Sequence, residues 1–251
     1  MSDQWQALLR NAGVWRGWFD TLDQDFKRIE HRPSLLTLEP SPAGVPLNLC
    51  LLFWPRNPAA DQDPYAGEPE KRITQSFWRV DTELGVFGSG SFSRGTLFCS
   101  SWTRLYAEFG FLHGDRRHRI VLLWNGSRDF DHPVLIREVR DGSGAQENPA
   151  LGAEQLLGNW QVQHSVLPLD DSSVPDPPGF NVQLEPRDLD GFVWLPDGGA
   201  FRAPQQIKLD DPFVIEALWL ATPQRLEWMQ RCYDANGGWI RTCHRLFTRV
   251  D

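Results

Sequence analysis

Between residues 14 and 140 apolar and polar residues alternate in short runs. This is the period-two signature of strands with one face covered and the other wet. The runs fall at 14–22, 32–39, 45–54, 73–81, 86–94, 104–113, 119–124 and 134–140. Turn residues separate them, among them Pro42-Ala43-Gly44, His113-Gly114-Asp115, Asn125-Gly126 and Asp141-Gly142. The pattern restarts at 160–167, 180–186, 191–195, 201–204, 213–220, 225–234 and 239–250, the last two runs closing around Asn236-Gly237-Gly238. Many short, closely spaced strands predict an all-β, antiparallel barrel or sandwich.

A motif recurs where each series begins. Gly13-Val14-Trp15 follows Gln6-Ala7-Leu8-Leu9, and Gly158-Asn159-Trp160 follows Glu154-Gln155-Leu156-Leu157. A short apolar helix that stops at a glycine and enters a tryptophan-bearing strand is similar to the start of lipocalin-like barrels, where the helix plugs one end. Two copies predict two tandem antiparallel lipocalin-like (calycin) β-barrels, each preceded by a short helix. The small, polar stretch 142–149 is the expected linker, giving an N-terminal barrel over 1–145 and a smaller one over 150–251. The segments 55–71 and 170–179 are expected as loops, and 251 residues suffice for two domains.

In such barrels the tryptophan packs beneath an arginine of the last strand, a cation–π contact. The expected structural pairs are Trp15 with Arg137 or Arg140, and Trp160 with Arg245 or Arg249. Within 225–234, Leu226, Trp228, Gln230 and Cys232 share one face, while Arg225, Glu227, Met229, Arg231 and Tyr233 share the other. The charged row either lines a ligand cavity or faces water.

Composition narrows the function. Of the 25 basic and 33 acidic residues, 17 and 18 precede position 146 and 8 and 15 follow it, so the second half carries most of the net charge of −8. An acidic chain without a basic stripe argues against nucleic acid or an anionic membrane surface as partner. The four cysteines show no C-x-x-C spacing, and the expectation is free thiols in a cytoplasmic protein. The six histidines lack metal-site spacing, so no metal is expected. No phosphate-binding loop or nucleophile elbow is present. The three lysines make Schiff-base chemistry improbable.

Trp5-x3-Leu9-x-Asn11-x-Gly13-x-Trp15-x-Gly17, the run from Glu108 through His113 and Asp115 to Arg119, and Leu135-Ile136-Arg137-Glu138 resemble the cyanobacterial and plastid domain-of-unknown-function family 3598. The resemblance spans nearly the whole chain and implies two tandem lipocalin-like barrels. That family is similar in fold to S/U-type phycobiliprotein chromophore lyases, which carry open-chain tetrapyrroles to acceptor cysteines. Arg231-x-Tyr233-x4-Gly238-Trp239 is similar to a hairpin near the end of those lyases.

Arginine forks suit carboxylate headgroups, and alternation sets Arg117 and Arg119 together. With Glu108 they are the candidate ligand-binding groups, and Trp78, Trp102 and Trp124 the candidate aromatic walls. Three readings follow. The first is a binding protein or chaperone for a small apolar, conjugated ligand with an acidic group: a bilin or other tetrapyrrole, a carotenoid or a fatty acid. No cofactor is required in this reading. The second is a bilin lyase or isomerase using Glu227, Arg231 and Tyr233 and delivering to an acceptor protein. The third is an assembly factor with filled barrels and a client protein. In the first reading Arg119→Ala weakens ligand binding and leaves stability within about ±0.5 kcal/mol.

Overall fold

A computed structural model describes residues 3–100, 102–169 and 178–250. Residues 170–177 of the expected proline-rich loop lie outside them. A helix α1 (Asp3–Leu9) leads into β1 (Gly13–Leu22), β2 (Arg28–Pro40), β3 (Leu47–Phe53), β4 (Lys71–Phe77), β5 (Leu84–Val86), β6 (Phe92–Gly95), β7 (Tyr106–His113), β8 (Arg116–Trp124) and β9 (Phe130–Arg140). A single 3-10 turn, Ala153–Gln155, then precedes β10 (Gly158–Pro168), β11 (Phe180–Leu184), β12 (Val193–Trp194), β13 (Gly199–Arg202), β14 (Phe213–Thr222), β15 (Arg225–Tyr233) and β16 (Trp239–Arg249). The second helix is thus one 3-10 turn.

Nine strands form one sheet in the order β4-β3-β2-β1-β9-β8-β7-β6-β5, and seven form another in the order β11-β10-β16-β15-β14-β13-β12. The class is all-β and lipocalin-like. Hydrogen bonding does not close either sheet, because β4 and β5, and β11 and β12, remain as edges. The β4 edge carries Lys71 and Arg72 and is exposed along most of its length, which discourages pairing with another chain. The glycine-rich run at 86–94 is not one strand. It breaks into β5 and β6 around a turn in which Phe87 N–H donates to Ser91 O and Gly90 N–H to Phe87 O.

The chain divides into two compact units that do not follow chain order. One comprises 1–92, 110–122 and 131–147, and the other 93–109, 123–130 and 148–251. The core of the first gathers Trp5, Leu8, Trp15, Leu36, Leu38, Leu47, Phe92 and Leu112. That of the second gathers Leu156, Trp160, Val162, Leu218, Leu226, Trp228 and Phe247.

The G-x-W motif builds the same device twice. Gly13 and Gly158 adopt φ of +132° and +119°, a region that side chains disfavour. The reversal drops Trp15 and Trp160 into the cores at 0% exposure, each indole N–H donating to a carbonyl four residues back, Asn11 O and Leu156 O, at 2.8 Å. Arg140 lies 4.4 Å over Trp15 and donates to Ala12 O. Arg249 lies 4.1 Å over Trp160 and donates to Leu157 O. Each arginine joins the last strand to the connection from helix to first strand, and its contact with the ring contributes about 0.5–2 kcal/mol.

Candidate functional site

On β1 the face bearing Trp15 also bears Gly17 and Phe19, and β9 sets Arg140, Glu138 and Ile136 opposite them. Gly17 lies so close to β9 that a Cβ there would stand 2.1 Å from Arg137 O. From β8, Arg117 and Arg119 reach the same face, Arg117 5.1 Å over Trp15 and Arg119 5.5 Å over Phe19. Both arginines converge on Glu138, whose side chain is fully buried. Arg119 donates to its two oxygens at 3.2 and 3.3 Å, and Arg117 Nε stands 3.7 Å away. The arginines expected to grip a ligand carboxylate therefore hold a carboxylate of the protein. Removing Arg119 would strip Glu138 of its bidentate partner, which overturns the expectation of an unchanged stability for Arg119→Ala.

Other members of the expected binding set are dispersed. Trp78 is 68% exposed and Trp102 94%, so neither lines an interior. Trp124 is buried and donates its indole N–H to Pro204 O at 3.1 Å. Glu108 is half-buried on β7, in the second unit.

Most of the charged row of β15 is buried against protein partners. Glu227 is completely buried between Arg225 at 2.7 Å and His244 at 2.9 Å. Arg231, also at 0% exposure, donates to Gly95 O at 3.2 Å, Thr96 O at 3.4 Å, Ser93 Oγ at 3.4 Å and the Tyr233 hydroxyl at 3.2 Å. Tyr233 in turn donates to Thr96 O at 2.9 Å. The acceptors Ser93, Gly95 and Thr96 belong to the same unit as β15. The three candidate catalytic groups thus serve as internal ties, with their polar atoms directed at protein partners.

On the opposite face of β1 lies a network that alternation alone did not reveal. Asp20, 3% exposed, pairs in register with His31 of β2 and accepts from its Nδ1. Arg137 donates to Asp20 at 2.5 Å and also binds Glu147, so this arginine serves Asp20 and does not cap Trp15. Arg245 stands opposite Trp228 on β15 and His164 on β10, half-buried. Trp18 stacks on the His31 ring at 3.7 Å and 10°. The carboxylate fixes the imidazole, and the flat contact holds it against β1. The readable signal was the pairing of Asp20 and His31 across a hairpin.

Tyr65 packs beside this network, with Arg16 4.3 Å over its ring and its hydroxyl donating to Gly17 O. Burial raises its pKa to about 12, against the lowering effect of Arg16. Because the unfolded phenol ionises near ~10, the neutral form stabilises the fold at lower pH, and that contribution is lost as pH climbs toward 12. An ultraviolet absorbance titration should therefore show Tyr65 and the buried Tyr233 ionising above the ordinary phenol range, with stability falling across this window less steeply in Tyr65→Phe. Ionisation of both near ~10 in folded protein would contradict the packing.

Among the described residues no cluster of three metal-type ligands occurs, and no helix is long and apolar enough to cross a membrane. The four cysteines are free thiols, three of them buried and Cys50 half-buried.

Two antiparallel sheets with a paired glycine, tryptophan and arginine device at each start define a lipocalin-like β protein. The model of the domain-of-unknown-function 3598 family, N-terminal part, matches residues 1–143, and the chain belongs to that family. Residues 187–248 match the model described as the C-terminal domain of biogenesis factor required for ATP synthase 1. A crystal structure of a DUF3598 protein of unknown function from Nostoc punctiforme PCC 73102 is similar over 100% of both chains, with 24% identity and a TM-score of 0.79. The S-type phycobiliprotein lyase CPES from Guillardia theta aligns with 55% of this chain and 92% of its own, at 15% identity and a TM-score of 0.36, too low to argue from. A comparison with curated proteins finds no match.

Proposed function

We propose that this protein is an assembly factor: a binding module that holds a client protein through exposed aromatic side chains, its interiors serving as scaffold. The observation that carries this reading is the inversion of its chemistry. Inward polar groups are bonded to one another, Glu138 with Arg117 and Arg119, and Glu216 with Arg202, Trp228 and Gln230. Large aromatic rings face solvent instead. Phe98 and Trp102, 54% and 94% exposed, stand in one turn tied by Thr103 Oγ1 donating to Phe98 O at 2.8 Å, while Trp102 N–H donates to Ser100 Oγ. An exposed tryptophan is a frequent anchor of a protein interface. The match of 187–248 to a domain named for an ATP synthase biogenesis factor supports an ATP synthase subunit as the client.

The test is co-elution of the full chain with individually purified ATP synthase subunits on size exclusion. One subunit should shift with the wild type. Trp102→Ala should weaken that complex by about 30-fold or more while changing folding stability by no more than about 0.5 kcal/mol. Failure of every subunit to shift would sink the reading.

A second reading, a carrier of a flat acidic molecule such as an open-chain tetrapyrrole, is favoured by one feature of the first unit. Arg119 lies over Phe19, Arg32 lies 4.9 Å over Phe53, and the two rings meet edge to face at 4.9 Å. Both arginine side chains keep 12% exposure. Delivery to an acceptor protein, and any lyase or isomerase step, belong to this reading. Native mass spectrometry and an absorption spectrum of protein from a pigment-producing host decide it: a retained coloured species supports a carrier, and bare colourless protein removes it.

A further inference from the structure

Arg245 departs from the pairing of inward charges that marks the second unit. β15, β16 and β10 set Trp228, Arg245 and His164 opposite one another in a single row. Directly opposed residues carry their Cβ atoms about 4.5–5.5 Å apart, so guanidinium and imidazole rise side by side. The row faces the core, since Trp228 belongs to that cluster, as do Phe247 and Val162, two residues away on the strands of Arg245 and His164. Arg245 and His164 are half-buried, and His164 Nε2 is buried without a hydrogen-bond partner. Among the described residues no hydrogen bond, ion pair or ring contact engages the Arg245 guanidinium. Other arginines of this face are anchored. Arg249, four residues further along β16, lies over Trp160 and donates to Pro223 O, Leu157 O and Gln155 O. Arg202 stands 2.5 Å from Glu216 and lies over Phe192. Those guanidiniums are committed to the fold, and that of Arg245 is not.

We propose that Arg245 and His164 form a binding site for the carboxylate of a small apolar monocarboxylic acid, Arg245 gripping both oxygens and His164 donating from Nε2. A guanidinium presents two parallel N–H groups that match the two oxygens of a carboxylate. An imidazole with its hydrogen on Nε2 adds a third donor. The site lies wholly in the second unit, uses neither Trp102 nor the arginines of the first unit, and stands independently of both readings above.

The surroundings select the ligand's charge and body. One guanidinium balances one negative charge, so a phosphate dianion would leave its second charge uncompensated beside the buried Trp228 and Leu218. Glu216, opposite Gln230 in the next row, is already matched by Arg202 and would repel that second charge. Further along the same face Val166 stands opposite Cys243 and Val214 opposite Cys232. These groups bind water weakly and suit an apolar tail. Val214 is 41% exposed, so the face meets solvent there. The headgroup therefore sits at the half-buried pair and the tail runs toward Val214.

The full chain is titrated by calorimetry with decanoate, with decanol and with inorganic phosphate. Decanoate should bind at a single site, decanol at least about tenfold more weakly, and phosphate not measurably. R245Q should weaken decanoate at least about tenfold and leave decanol unchanged. H164F keeps a ring without the N–H and should weaken decanoate by a smaller factor. Because no described partner loses a bond, R245Q and a second variant, R245M, should melt at or above the wild-type temperature, which separates lost binding from lost folding. R187Q removes an exposed charge that pairs with Glu185 and should bind decanoate as the wild type does. Absence of decanoate binding in the wild type, equal affinity in R245Q, or phosphate binding as tight as that of decanoate overturns the assignment. So does a clear fall in melting temperature in both R245Q and R245M, which would make the guanidinium a tie of the fold.

Discussion

Glu138→Ala is expected to destabilise the protein by about 3–5 kcal/mol, the cost of removing one partner from a buried ion pair. For a chain of this size that corresponds to a fall of roughly 6–20 °C in melting temperature. Glu138 has no exposed side-chain surface, and its oxygens receive Arg119 at 3.2 and 3.3 Å with Arg117 at 3.7 Å. Loss of the carboxylate leaves two guanidinium groups facing each other, one of them 3% exposed. Replacing Arg119 alone should cost less, because its side chain keeps 12% exposure and Arg117 still neutralises Glu138. The measurement is a urea transition followed by tryptophan fluorescence. A change below about 1 kcal/mol would mean that the trio is solvated and its arginines available to an external acid.

The second large effect is expected at Arg231. This guanidinium is completely buried, held by the carbonyls of Gly95 and Thr96, the hydroxyls of Ser93 and Tyr233 and the face of Trp239 at 5.0 Å. Arg231→Ala opens a cavity and strips donors from two carbonyls, and should cost about 3–5 kcal/mol. Arg231→Lys offers one compact charge in place of a planar fork and should recover only part of this. Arg231→Met separates the two contributions: it refills the volume without the buried charge, so a clear gain over alanine assigns the loss mainly to packing. If all three variants were as stable as the wild type, residues 93–96 would not be anchored by this side chain.

Much of the architecture was legible because period-two alternation and turn residues are local properties. The motif at Gly13 and Trp15, repeated at Gly158 and Trp160, announced both starts, since a glycine at positive φ followed by a core indole is written in adjacent residues. A short apolar piece ahead of the second motif did not reveal whether it would form an α-helix, and it makes one 3-10 turn. The run 86–94 read as one strand, and the chain turns outright within it.

The interior chemistry was much less legible. Alternation along β15 sorts Arg225, Glu227 and Arg231 onto one face but says nothing of what meets that face, and Ser93, Gly95 and Thr96, distant in sequence, bind Arg231 there. An arginine at 119 reads the same whether its partner is a ligand or Glu138, because a carboxylate satisfies the fork either way. Trp102 and Trp124 were read alike as aromatic walls, yet one is 94% exposed and the other 2%. The all-β class and the two starts follow from the sequence alone, being set by neighbours in the chain, whereas the arginine over each tryptophan was chosen by the fold. Which charges are paired and which rings face solvent were decided by tertiary structure, because each depends on side chains brought together from strands far apart in the sequence.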